Sequence, residues 1–286
     1  MMQQQTPSGG RTGSVPGVQQ TSEQAQAGHD EAKARANAPT PARVVHATIA
    51  RAGEHELQRP AQSLLWSGVA AGFAIMASVS LSGSLYARGA GELVIALGYP
   101  VGFLIAVMGR LQLFTEQTVV AIIPLARTPS VATAVRVARL WALVLTGNLL
   151  GTCAAAALVV LGQVQPPDVL RGMLAVSAKL QDGTAGELFA HAIPAGFTMA
   201  AIAWVISAER GHSFWVIAAF TYAISASGWA HVVAGSAEAF LLLWSGTESV
   251  GWFVGHFFLP VLAGNVVGGT GLFALLAHAQ VADELA

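Results

Sequence analysis

Two short polar patches interrupt the longest apolar stretches of this chain. GRLQLFTEQT at 109–118 carries Arg110, Thr115 and Glu116, and SGWAHVVAGSAE at 227–238 carries His231 and Glu238. A neutral imidazole donates one hydrogen bond and accepts another, and its proton exchanges near neutral pH. An ionisable side chain inside a membrane-length apolar stretch is functional by default. His231 is therefore the first candidate to meet a passing solute. Thr115 offers a hydroxyl, as a pore group or as a helix N-cap, because Thr-Glu-Gln before an apolar run has the pattern of a helix start. Glu116 and Glu238 stand 122 positions apart and are expected to be matched supports that accept backbone N–H groups. Arg110 is costly at such depth and is expected to face Glu116.

Other chemistry finds little footing. Asn148 and Asn265 sit in Gly-Asn-x-x-Gly runs, where close helix packing and interhelical hydrogen bonds are the expected roles. His191, His212, His256 and His278 form no HxxxH or HExxH pattern, so no metal site is expected. There is no GxSxG elbow and no glycine pattern of a nucleotide-binding loop. The single cysteine, Cys153, excludes an intrachain disulfide. The residues point away from an enzyme, and neither a cofactor nor a nucleic-acid partner is expected.

The elements that must position these residues are membrane helices. Of the 286 residues, 54% are hydrophobic and 10% charged, against about 25% charged in a soluble domain. A bilayer core needs about 20 apolar residues as helix. Six stretches qualify: 64–86, 92–126, 139–163, 188–208, 214–244 and 253–280. Residues 1–42 are rich in Gln, Gly, Ser, Thr, Ala and Pro and read as a disordered leader, with no signal-peptide pattern. Residues 43–62 follow as a short polar or amphipathic helix. Lys and Arg are biased ten to three toward the side that holds the N-terminus, which predicts both termini in the cytoplasm.

The crossings are written twice. AAGFAIMA at 70–77 echoes PAGFTMAA at 194–201, and TGNLLG at 146–151 echoes AGNVVG at 263–268. Three crossings per copy is an odd number, so the second copy is inverted, an architecture of transport proteins with sites near the midplane. The repeats are expected at 63–164 and 188–280, with an external linker at 165–187 and a tail at 281–286. As unbroken helices, the second and fifth stretches would run about 52 and 46 Å, longer than the membrane. Each also has its polar patch near the centre, so both are expected to break there. Half-helix N-termini facing such a gap favour an anion.

In chain order, AGF, LFTEQT, GNLLG, AKL at 178–180, GWAHVVAGS and LPVLAGNVVGG resemble the formate/nitrite transporter family across about 61–280. The resemblance implies an all-α membrane protein: an aquaporin-like, six-transmembrane-helix inverted repeat with helices 2 and 5 interrupted. It implies a homopentamer in a prokaryotic inner membrane, with one pore per protomer. The implied cargo is small monovalent weak-acid anions such as formate, nitrite, hydrosulfide or lactate, with protons and membrane lipid as the other partners. His231 matches the family's central histidine and Thr115 the threonine of the interrupted helix. Leu113 and Phe114 match the constriction, and Lys179 the vestibule lysine. The anion would be protonated or hydrogen-bonded at the histidine. No asparagine stands near the pore in the fourth crossing, and Arg110, Glu116 and Glu238 mark a divergent branch. A pore for neutral polar solutes, or a non-conducting scaffold, are the alternatives.

Overall fold

A computed structural model describes residues 26–30, 33, 39–208 and 211–285. The expected disorder of the leader, and Arg210 in the loop at 209–210, fall largely outside these. The chain divides into a unit at 1–40 and a unit at 41–286. In the first, residues 26–30 are helical and exposed.

All the regular secondary structure among the described residues of the second unit is helical. Helix α1 (Ala42–Gln58) is amphipathic, burying Val45, His46, Ile49, Gly53 and Leu57 at helical spacing. Pro60 forces Arg59 into an extended conformation, which ends α1 and starts α2 (Ala61–Ala87). The second crossing is α3 (Glu92–Met108), a break, then α4 (Phe114–Val120) and α5 (Ile122–Arg127). Helix α6 (Val131–Val160) starts at Ser130, whose hydroxyl caps the Thr133 N–H at 3.1 Å.

The expected external linker contains a helix of its own, α7 (Pro167–Ser177), opened by proline at its first position. A reciprocal pair of bonds, Thr184 N–H to Glu187 and Glu187 N–H to Thr184 Oγ1, starts α8 (Ala185–Ala208) as a capping box. The fifth crossing repeats the second: α9 (Ser213–Ala226), a break, then α10 (Val232–Trp244). The last is α11 (Val250–Ala279), widened by π-type turns at 253–258 and 267–274, followed by α12 (Ala282–Leu285). Four helices, α2, α6, α8 and α11, are long and apolar enough to cross a membrane unbroken. With the two broken pairs they make six crossings.

The repeats are visible in how backbones touch. A β-carbon on Gly72 of α2 would strike the Asn148 carbonyl of α6, and one on Gly196 of α8 would strike the Asn265 carbonyl of α11. Gly151 is similarly closed by Val69 and Gly268 by Ile193. Small residues at these crossings let the backbones approach, as membrane helices require where water supplies no driving force. Each pair thereby carries its asparagine to one of the two breaks, where the half-helices meet it.

Candidate pore site

Both breaks use the same geometry. In the first, Leu111 N–H returns to Ala106 O at 2.8 Å, and Arg110 stands in the left-handed region at φ 58°. In the second, Trp229 N–H returns to Ile224 O at 3.0 Å, and Gly228 takes φ 67°. Leu113 and His231, both extended, then flank the first residues of α4 and α10. Matched positions are 118 apart throughout. Glycine suits such a conformation; arginine is strained in it.

Extended backbone at mid-membrane leaves polar groups that must be satisfied from within the protein. Asn148 does this for the first break. Its Oδ1 accepts Phe114 N–H at 2.9 Å, and its amide donates to Gln112 O at 2.8 Å and Gly68 O at 2.9 Å. Asn265 repeats the pattern, accepting Val232 N–H at 2.8 Å and donating to Ala230 O at 3.0 Å and Ala192 O at 2.8 Å. Both side chains are fully buried.

The asparagines thus hold the breaks, and the glutamates do not. Glu116 is the third residue of α4 and its carboxylate bonds to no group of the break, while Glu238 lies seven residues beyond His231, in the body of α10. They are not structural counterparts either: a spacing of 118 matches Glu238 to Val120. Arg110 and Glu116 line one cavity but form no ion pair; the ion pairs among the described residues join His55 and Arg59 to Glu56, and Lys179 to Glu92.

Thr115 does not cap α4 either; its hydroxyl instead lies 2.7 Å from His231 Nε2. His231 is the N-cap of α10: its Nδ1 accepts the Ala234 N–H at 3.1 Å. An Nδ1 that accepts carries no proton, so the ring hydrogen sits on Nε2 and is donated to Thr115 Oγ1. That oxygen's own hydrogen is then available to a solute. His231 is 2% exposed and Thr115 is fully buried. Phe103 meets the imidazole edge-on at 5.1 Å, and buried Leu113 and Phe114 close the surroundings. The result is one polar pair among buried apolar side chains.

On the α1 side of this pair lies a cavity of about 680 Å³, reached by Glu56, Arg110, Gln112, Glu116 and Gln117. Glu56 of α1 pairs with Arg59 at 3.0 Å and accepts from Gln112 Nε2 at 3.1 Å. Gln117 Nε2 continues the chain to Gln112 Oε1 at 2.8 Å. On the other side, Lys179 is not a free charge; Glu92 holds it at 2.9 Å. No group of three His, Cys, Asp or Glu among the described residues is placed to hold a metal ion.

A family profile described as Formate/nitrite transporter matches residues 43–279. The chain belongs to that family. It is 36% identical over 251 residues to inner membrane protein YfdC of Escherichia coli (strain K12), covering 86% of this chain and 81% of that protein. Two solved structures share the fold. One, an FNT family ion channel, has TM-score 0.66 and 20% identity, over 84% of this chain and 98% of its own. The other, a pentameric formate channel with formate bound, has TM-score 0.61 and 17% identity, over 81% and 98%.

Asn148 and Asn265 make the interhelical hydrogen bonds the sequence reading expected of them, though it did not place those bonds at the breaks; Gln112 and Glu56 are the parts of the site it missed. The repeated Gly-Asn pair was the available signal for the asparagines. For the Glu56–Gln112 contact, 56 positions apart, there was none.

Proposed function

We propose that the chain is a channel-like transporter of small monovalent weak-acid anions, assembled as a homopentamer with a pore in each protomer. The membrane is a prokaryotic inner membrane and both termini are cytoplasmic, so the α1 side faces the cytoplasm. Residues 1–42 form a leader, 43–62 a cytoplasmic helix, 63–164 and 188–280 the two repeats, 165–187 the external segment between them, and 281–286 a tail. Membership of the family and the relatives described above support this reading.

The observation that carries it is the Thr115–His231 bond, the polar pair inside the constriction. A bare anion is expensive to desolvate between apolar walls. An oxygen that accepts from Thr115 recovers a hydrogen bond at the narrowest point. The ring Nδ1 is occupied by the cap, so His231 acts as a neutral hydrogen-bonding group, and the proton that accompanies the anion comes from solvent. Flux therefore follows the supply of neutral acid and rises as pH falls.

Uptake of formate, nitrite and chloride into proteoliposomes at two pH values tests this. Weak-acid flux is expected to exceed chloride flux and to rise at the lower pH. His231→Asn retains a capping side chain but not the reach to Thr115, and is expected to lose most of that flux. Absence of weak-acid flux in the unmodified protein would overturn the proposal.

A further inference from the structure

Helix α10 is buried along almost its whole length. Of residues 232–242, only Glu238 and Phe240 are half-buried; the rest are buried. Phe240 stacks on Phe253 of α11 at 4.7 Å. Glu238 has no such cover. It lies seven residues beyond His231, two helical turns and about 10 Å of rise toward the Lys179 side of the polar pair. Gly235 stands between them on the helix, and a β-carbon there would reach Leu180, the neighbour of Lys179, at 3.8 Å. One face of α10 thus runs from the polar pair to the vestibule that Lys179 borders.

A second line of side chains runs beside it. Tyr99 of α3 packs on Phe103 at 5.1 Å, and Phe103 meets the His231 ring at 5.1 Å. Glu238 is close enough to Tyr99 to act on it electrostatically, and Lys179 is the charge that acts on Glu238. Lys179 is itself held by Glu92 at 2.9 Å, and Glu238 joins no ion pair among the described residues. The helices packed on the other sides of α10, namely α2, α6, α7 and α11, add no charge that acts on it among those residues. A carboxyl group without an ion-pair partner therefore stands at the outer end of a path that closes at Thr115 and His231. As a fixed negative charge it would only repel an anion on that path.

We propose that Glu238 is a proton-loading group, which hands a proton to an arriving weak-acid anion before the solute reaches Phe103 and the polar pair. A positioned carboxyl group gives a proton to a base that reaches it and regains one from water. With formate, the O–H bond of Glu238 breaks, an O–H bond forms on formate, and the negative charge passes to Glu238. Neutral formic acid moves on to accept from Thr115. Vestibule water then returns a proton to Glu238, and no electrons are gained or lost. His231 surrenders no proton in this sequence, in keeping with its place as the cap of α10.

This inference rests on the pore reading above and deepens it by naming where the proton is taken up. The test is formate uptake by full-length protein in proteoliposomes, with the same pH on both sides so that insertion in either direction reads alike. The measured quantity is the ratio of uptake at pH 5 to uptake at pH 7. Glu238→Gln keeps the shape and carries no exchangeable acid proton. It is expected to raise that ratio by about tenfold, less than the usual contribution of a positioned acid because solvent also supplies neutral acid. Glu238→Asp keeps the carboxyl group and is expected to bring the ratio back toward that of the unmodified protein. A purely structural role would lower uptake at both pH values and leave the ratio where it was. An unchanged ratio in Glu238→Gln, or a raised ratio that Glu238→Asp does not bring back, would overturn the loading role and leave the pore reading standing. Absence of formate uptake by the unmodified protein at either pH would overturn both.

Discussion

Asn265→Ala is the sharpest probe of how the breaks are held. The substitution removes three hydrogen bonds at once, to Val232 N–H, Ala192 O and Ala230 O. The site is fully buried, so no bulk water replaces them. Interhelical bonds of this kind are worth about 0.6–2 kcal/mol each in membranes, which puts the loss at about 2–6 kcal/mol. At the entropy of unfolding of a chain this size, the melting temperature in detergent should fall by roughly 4–20 °C. Asn148→Ala removes the matching three bonds and should cost a similar amount. Asn265→Asp keeps the acceptor for Val232 N–H, loses both donors, and should fall between. His231 lies between Ala230 and Val232, two of the three residues whose backbone Asn265 grips, so formate flux in Asn265→Ala is expected to drop further than its folded fraction. The assay is thermal unfolding followed by near-ultraviolet circular dichroism, with flux measured on the same preparations. A melting temperature within about 2 °C of the parent for both alanine variants would refute the clamp. A large loss in one and none in the other would refute the equivalence of the two breaks.

Two further outcomes follow from the same geometry. Arg110→Gly relieves a left-handed arginine and should stabilise the fold by about 1 kcal/mol, whereas Gly228→Ala imposes that strain and should cost about as much; paired melting curves check the opposite signs. His46 of α1 is buried against His278 at 3.1 Å, and burial first, then His278 and Arg127, lower its pKa from 6.5. The unfolded chain then binds the proton more readily, so this contribution to stability is complete above about pH 6.5 and is lost as pH falls below it. Protection factors across residues 42–58, taken from hydrogen exchange after correction for the intrinsic fall of the exchange rate with pH, should therefore decrease between pH 7 and about pH 5.5, and His46→Phe should flatten that dependence.

The crossings and their breaks were legible because a bilayer imposes a length, and the second and fifth stretches exceeded it with polar residues at their centres. The inverted repeat was legible because close helix packing requires glycine at fixed places, and Gly72 with Gly196, and Asn148 with Asn265, stand at nearly constant separation. The role of Glu116 and Glu238 was misread for a reason of register. Their separation of 122 lies among the repeat offsets, but the breaks themselves match at 118, and four positions is a full helical turn. The pairing of Lys179 with Glu92 joins residues 87 positions apart and had no local signature. Helix α7 did have one, Pro-Pro-Asp ahead of an amphipathic run, inside the stretch read only as an external linker.

Once the register is set, the two repeats act as controls for each other. The backbone asks the same of Leu113 and His231: an extended residue just ahead of a half-helix. Leucine fills that place with apolar bulk and caps nothing. Histidine fills it and caps α10 through Nδ1. The cap sets the tautomer, the tautomer puts the hydrogen on Nε2, and Nε2 directs it to Thr115. Protonating Nδ1 would set an N–H against the Ala234 N–H it now accepts, so the charged ring and the capped half-helix compete. The inverted fold therefore does more than place a histidine at the second break. It holds that histidine neutral while the half-helix is capped, and it is in this state that the proposed function uses the pair of Thr115 and His231, as a hydrogen-bonding station for a solute that brings its proton from outside.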